Sequence, residues 1–79
     1  MAKVFITQEQ QQIADLADRI VGRRKRFRKS QAEMSKLIGK ARNTYSVMER
    51  NLERIPLEDL LTVLHELGLD ILVIELRNE

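Results

Sequence analysis

Arg42, Asn43 and Val47 are residues of the kinds that read the edges of base pairs. An Arg guanidinium forks onto O6 and N7 of guanine, an Asn amide matches N6 and N7 of adenine, and a valine can only pack on a thymine methyl. Thr44 and Ser46 lie among them, with hydroxyls that either touch phosphate or bond back to their own helix. Upstream runs a cluster of cations, Arg23, Arg24, Lys25, Arg26, Arg28 and Lys29, and downstream stands Arg54. Such a cluster fits the phosphates of a nucleic acid, which position a protein without reading sequence. A helix spreads its side chains around its axis, so these cations do not all meet one polyanion. Both segments have a plainer reading as solvated helix faces, and the residue types alone leave the two readings side by side.

Other chemistries lack their parts. Cysteine is absent, which removes disulfides, thiolate metal sites and thiol nucleophiles. The single histidine, His65, makes no metal site by itself. Paired carboxylates, a nucleophile with its base and a phosphate-cradling glycine loop are not found at workable spacing. The expectation is a non-enzyme with no metal and no cofactor.

Four helices and a strand are needed to place these residues. Thr7 and Gln10 have capping-box spacing, and Ile13, Leu16, Ala17, Ile20 and Val21 follow at i, i+3, i+4, i+7 and i+8, predicting a helix to about Arg26. Ser30-Gln31-Ala32-Glu33 is a second capping box, opening a helix of about eight residues with Met34, Leu37 and Ile38 inward and Gly39 at its end. A third helix spans about Arg42 to Arg50, with Tyr45, Met48 and Leu52 inward and Asn51 as its C-cap. Pro56 suits the start of a fourth, whose inner face is Leu57, Leu60, Leu61, Leu64 and Leu67 with Val63 beside them, closed by Gly68. Phe27, Tyr45 and Met48 read as core. The tail from Asp70 to Leu76 is apolar and β-branched and reads as a strand, for which Lys3–Ile6 is the one other segment able to pair within the chain.

The chain has 79 residues, 43% hydrophobic and 33% charged, which fits one thin-cored globular domain that dimerisation would help. Its net charge of +2 is unevenly spread. Residues 1–54 hold 13 Lys/Arg against 6 Asp/Glu, a balance of +7, and residues 55–79 hold 1 against 6, a balance of −5. One part is suited to a polyanion and the other is not. The longest apolar run, Ile71 to Ile74, is far too short to span a membrane, and the first six residues lack the apolar core of a signal peptide, so the expected location is the cytoplasm.

A capped short helix, a glycine turn and a second short helix with a polar outer face make up what a helix-turn-helix requires. Ser30-Gln31-Ala32-Glu33-Met34-Ser35-Lys36-Leu37-Ile38-Gly39 through Arg42-Asn43-Thr44-Tyr45-Ser46-Val47-Met48-Glu49-Arg50 resembles the Xre/Cro family without a gap, and the likeness continues through Pro56-Leu57 to Leu67-Gly68-Leu69. The resemblance implies a mainly α fold: a small helical bundle of the lambda-repressor-like DNA-binding kind over 1–69, with 70–79 as a C-terminal β-strand and tail that pairs across a dimer through Ile71, Leu72, Val73, Ile74 and Leu76. It implies base contacts from Arg42, Asn43 and Val47. Phosphate contacts are expected from Arg28, Lys29, Ser30, Thr44 and Arg54, and the resemblance adds Gln31. It further implies a structural ion pair between Arg24 and Glu49. Several positions depart from the family pattern: Arg28 and Lys29 stand where glycine and an apolar residue are usual, Ser35 replaces alanine, Lys40 replaces a small apolar residue, Ala41 replaces a Ser or Thr cap, and Val47 replaces a frequent polar reader.

The tail strand resembles that of HipB-type antitoxins, which implies a repressor that binds a palindromic operator as a homodimer and also holds a HipA-like kinase toxin. A stand-alone regulator of a phage or restriction system, and an interaction module that has lost DNA binding, are the competing readings. The cation cluster and the polar third helix argue against the last.

Overall fold

The computed structural model describes residues 6–77. Helix α1 covers Gln8–Arg26, α2 Gln31–Leu37, α3 Arg42–Arg50 and α4 Leu57–Glu66, with one 3₁₀ turn at Leu52–Arg54. Local chemistry sets the helix ends. Thr7 Oγ1 accepts from Gln10 N at 3.1 Å while Thr7 N donates to Gln10 Oε1 at 2.9 Å, closing the first capping box. Ser30 Oγ accepts from Glu33 N at 3.0 Å and Ser30 N donates to Glu33 Oε1 at 3.1 Å, closing the second. Ala41 occupies the N-cap of α3 and supplies no side-chain bond, so that helix starts with its first amides uncapped. At the end of α4, Gly68 N donates to His65 O and Leu69 N to Leu64 O, a Schellman closure that needs the positive φ of +72° found at Gly68.

Ile20 of α1, Met34 of α2, Tyr45 of α3, Leu52 of the 3₁₀ turn, Val63 and Leu64 of α4, and Leu67 beyond it form the buried core. Ile13, Leu16, Ala17, Ile38, Ile55, Leu60 and Leu69 pack around it. Burying a large apolar side chain contributes roughly 1.5–3 kcal/mol relative to exposure, so these seven residues make a workable but thin core. Four details differ from the sequence-based expectation. Leu37 is exposed and Ser35 is buried in its stead, with Ser35 Oγ donating to Ala32 O at 2.7 Å, which satisfies the hydroxyl where alanine is usual. Leu57 stands off the core because the inner face of α4 centres on Val63, Leu64 and Leu67. Phe27 is 42% exposed, lying under the Arg23 guanidinium at 5.1 Å. Leu52 is inward as expected but belongs to a separate 3₁₀ turn.

No strand occurs among the described residues. Residues 70–77 carry no regular structure, and Leu72, Val73 and Leu76 are 80–88% exposed. A strand exists by virtue of a ladder, and among the described residues none pairs with this segment. The other segment considered for pairing, Lys3–Ile6, lies outside the described residues except for Ile6, which is exposed.

Candidate nucleic-acid interface

Helix α3 is presented by its buried side. Tyr45 and Glu49 are buried and Met48 is half-buried, while Arg42, Asn43, Thr44, Val47 and Arg50 are exposed. Asn43, Val47 and Arg50 fall at i, i+4 and i+7, so they share one outward stripe, with Arg42 and Thr44 flanking it in the first turn. Arg50 is the member that sequence reading overlooked, and the same i, i+4, i+7 spacing would have found it. Asn51 Nδ2 donates to Val47 O and closes the helix.

Glu49 organises the inner side. Arg24 Nε donates to its Oε2 and Arg24 Nη2 to its Oε1, both at 3.0 Å, with the side chains only 12% and 3% exposed. Arg24 Nη1 also donates to Lys29 O at 3.1 Å, and Gln31 Nε2 donates to Glu49 Oε1 at 3.2 Å. One arginine thus ties the end of α1, the α1–α2 loop and α3 together, with the start of α2 joined through Gln31. Burial pushes the Glu49 pKa up, but the hydrogen bonds of Arg24 and Gln31, the nearby Tyr45 hydroxyl and the Arg24 charge outweigh it and hold the carboxyl below its ordinary value. Burial, reinforced by the adjacent Glu49 carboxylate, raises the Tyr45 phenol pKa. By donor–acceptor geometry its hydroxyl lies beside Glu49 without a bond to any described residue.

The six-residue cation cluster divides into two sets. Arg23, Arg24 and Lys29 are committed to protein: Arg23 Nε donates to Leu67 O at 3.1 Å and Nη2 to Gly68 O at 3.3 Å, Arg24 holds Glu49, and Lys29 Nζ lies 2.8 Å from Glu66 Oε1. Lys25, Arg26 and Arg28 are exposed and, among the described residues, have no ion pair. Arg54, beyond α3, is likewise exposed. The sequence could not divide the cluster in this way, because the partners of Arg23 are 44 and 45 residues away.

Arg28 also has φ +56°, the left-handed region that costs an L-residue with a Cβ roughly 1–2 kcal/mol. Its place is the one at which the Xre/Cro pattern carries glycine. A charged side chain has been accepted at a strained position in the loop that precedes α2.

Two short helices meet end to end at a glycine turn, with Gly39 at φ +64°. The second presents a polar stripe, and exposed cations flank the first. Such an arrangement can dock in a groove wide enough for one helix and neutralise the phosphates beside it. No helix among the described residues is long and apolar enough to cross a membrane. A family model described as helix-turn-helix matches residues 22–74, more than half of the 79-residue chain. No curated protein and no solved structure matches it.

Proposed function

Because the chain belongs to the Xre/Cro-type helix-turn-helix family, a family of DNA-binding transcription regulators rather than enzymes, we propose that it is a sequence-specific repressor acting as a homodimer. The observation that carries the reading is the exposed stripe of α3, held rigidly from behind by the buried Arg24–Glu49 pair. Arg42, Asn43 and Val47 read bases from the major groove, and Arg50 extends the same stripe. Arg28, Ser30, Gln31, Thr44 and Arg54 hold the flanking phosphates, with Lys25 and Arg26 adding charge. Lys29 belongs to this set once its bond to Glu66 opens.

The unit over 1–69 binds DNA, and 70–79 makes the dimer. Ile71, Leu72, Val73, Ile74 and Leu76 are exposed in the single chain, and pairing with the same segment of a second subunit would cover them and supply a ladder partner. The two-fold symmetry that results suits a palindromic operator with half-sites about one helical turn apart. The same tail supports the closer likeness to HipB-type antitoxins, so the repressor would regulate its own operon in the cytoplasm and hold a HipA-like kinase toxin.

The experiment is a mobility-shift titration with the promoter fragment upstream of the protein's own gene, beside a fragment of equal length from within a coding region. A shift of the promoter at least ten-fold tighter than of the control supports the reading. Equal affinity for both fragments overturns autoregulation. Co-purification with the product of an adjacent kinase-like gene supports the antitoxin role, and its failure to co-purify removes that part alone.

A further inference from the structure

We infer that Glu66, at the end of α4, restrains DNA binding by holding Lys29 away from phosphate. The inference rests on the DNA-binding reading above. Lys29 is the residue before Ser30, the N-cap of α2, so its backbone lies where the loop meets the proposed phosphate site. That backbone is pinned from both sides: Lys29 N donates to Arg24 O at 3.0 Å and Lys29 O accepts from Arg24 Nη1 at 3.1 Å. The side chain is therefore the part free to choose a partner, and it has chosen Glu66 at 2.8 Å. The hydrogen bond and charge of Glu66 raise the Lys29 pKa, with Glu33 as a lesser contributor. Glu33 is no rival partner, because its carboxylate closes the capping box with Ser30.

Glu66 is a fixed competitor. Arg23 bonds to the carbonyls of Leu67 and Gly68, which anchors the end of α4 against the last turns of α1. With that backbone held, the carboxylate can follow Lys29 toward DNA only as far as its own side chain reaches. For Lys29 to reach a phosphate, its bond to Glu66 must open. Both side chains are partly exposed, so the pair is weak enough to be exchanged. Glu66 thereby acts as an internal stand-in for phosphate, and it lowers affinity for every DNA sequence alike because Lys29 touches no base.

The test is a cycle of four proteins: wild type, Glu66→Gln, Lys29→Gln and the double variant. Each is titrated with a promoter duplex and an unrelated duplex, with thermal melting to confirm folding. Glu66→Gln is expected to tighten binding to both duplexes about two- to five-fold per subunit. In the Lys29→Gln background the same substitution is expected to change little. Glu58→Gln, on the exposed first turn of the same helix, controls for removal of an acid from the chain.

Equal tightening by Glu66→Gln with and without Lys29, or by Glu58→Gln, would reduce the effect to net charge and overturn the inference. Unchanged affinity in Glu66→Gln overturns it too and leaves the pair a strut between loop and helix. A wild type that binds neither duplex overturns the DNA-binding reading and this inference with it. A wild type that binds and ignores Glu66→Gln removes only the latter.

Discussion

Replacing Arg24 by methionine tests the part of the structure on which the presentation of α3 depends. The substitution keeps the bulk of the stem and removes two bonds to Glu49 and one to Lys29 O. Glu49, 3% exposed, would then be a buried carboxylate hydrogen-bonded only by the Gln31 amide, with the Tyr45 hydroxyl nearby. Breaking a buried pair from one side costs about 3–5 kcal/mol, against about 0–1 for a pair in water. A chain of this size has roughly 4–12 kcal/mol in total, so the loss is a large share. At about 4–8 °C per kcal/mol, melting should fall by tens of degrees. The assay is urea and thermal unfolding by far-UV circular dichroism, with all proteins at one concentration so that self-association cannot shift apparent stability between them.

Arg24→Met combined with Glu49→Leu should recover most of the loss, since two apolar groups leave no orphaned charge. The pH dependence has a definite sign. Glu49 has a folded-state pKa below its unfolded value of about 4.3, so its contribution is complete above that value and is lost as pH falls through the folded one. In Arg24→Met, burial no longer meets the Arg24 charge and pushes the Glu49 pKa above its ordinary value, so the gap between wild type and variant should be widest near neutral pH and narrow progressively as pH falls. A cost under about 1 kcal/mol at pH 7 would refute the reasoning and place the pair among ordinary surface contacts.

Arg42→Ala and Asn43→Ala should each relax sequence preference by about 1–3 kcal/mol at one base pair while leaving non-specific binding nearly intact, as read by competition with mutated duplexes. Ala41→Ser should stabilise the fold by about 1 kcal/mol in urea unfolding, because Ala41 is the N-cap of α3 and supplies no bond. Arg28→Gly should stabilise it by up to about 1 kcal/mol by relieving the φ of +56°, while weakening binding to all DNA sequences in titrations. Truncation after Leu69 should give a monomer at micromolar concentration by light scattering and weaken operator binding; a truncated dimer of normal affinity would count against the tail.

Much of the frame was legible because it is local. Thr7 with Gln10 and Ser30 with Glu33 are capping boxes three residues apart, and both close as the spacing predicts. Gly39 and Gly68 sit where left-handed backbone ends a helix. The position of Arg28 was legible as a departure from the family pattern, and the structure supplies its meaning as a strained backbone. What stayed hidden depends on distant parts of the chain. The bonds of Arg23 to Leu67 and Gly68, and that of Lys29 to Glu66, join segments dozens of residues apart, and neither has a sequence period. Leu37 and Leu57 matched helical spacing yet point outward, because in helices of seven and ten residues a small rotation decides which apolar residue is covered. The tail differs for another reason: its β character is intrinsic to Ile71–Leu76, whereas a ladder requires a second strand.

The central role proposed for α3 is to read duplex DNA beside exposed cations. The most direct measurement is the affinity of the full chain for a duplex selected from a random pool, compared with the unselected pool, across a salt series from 50 to 200 mM. The account predicts enrichment of one palindromic sequence, bound about 10³-fold or more tighter than the pool. It also predicts a linear fall of log affinity with log salt, losing on the order of 10³-fold over that range. A selection that enriches no sequence, or affinity that barely changes with salt, would contradict it.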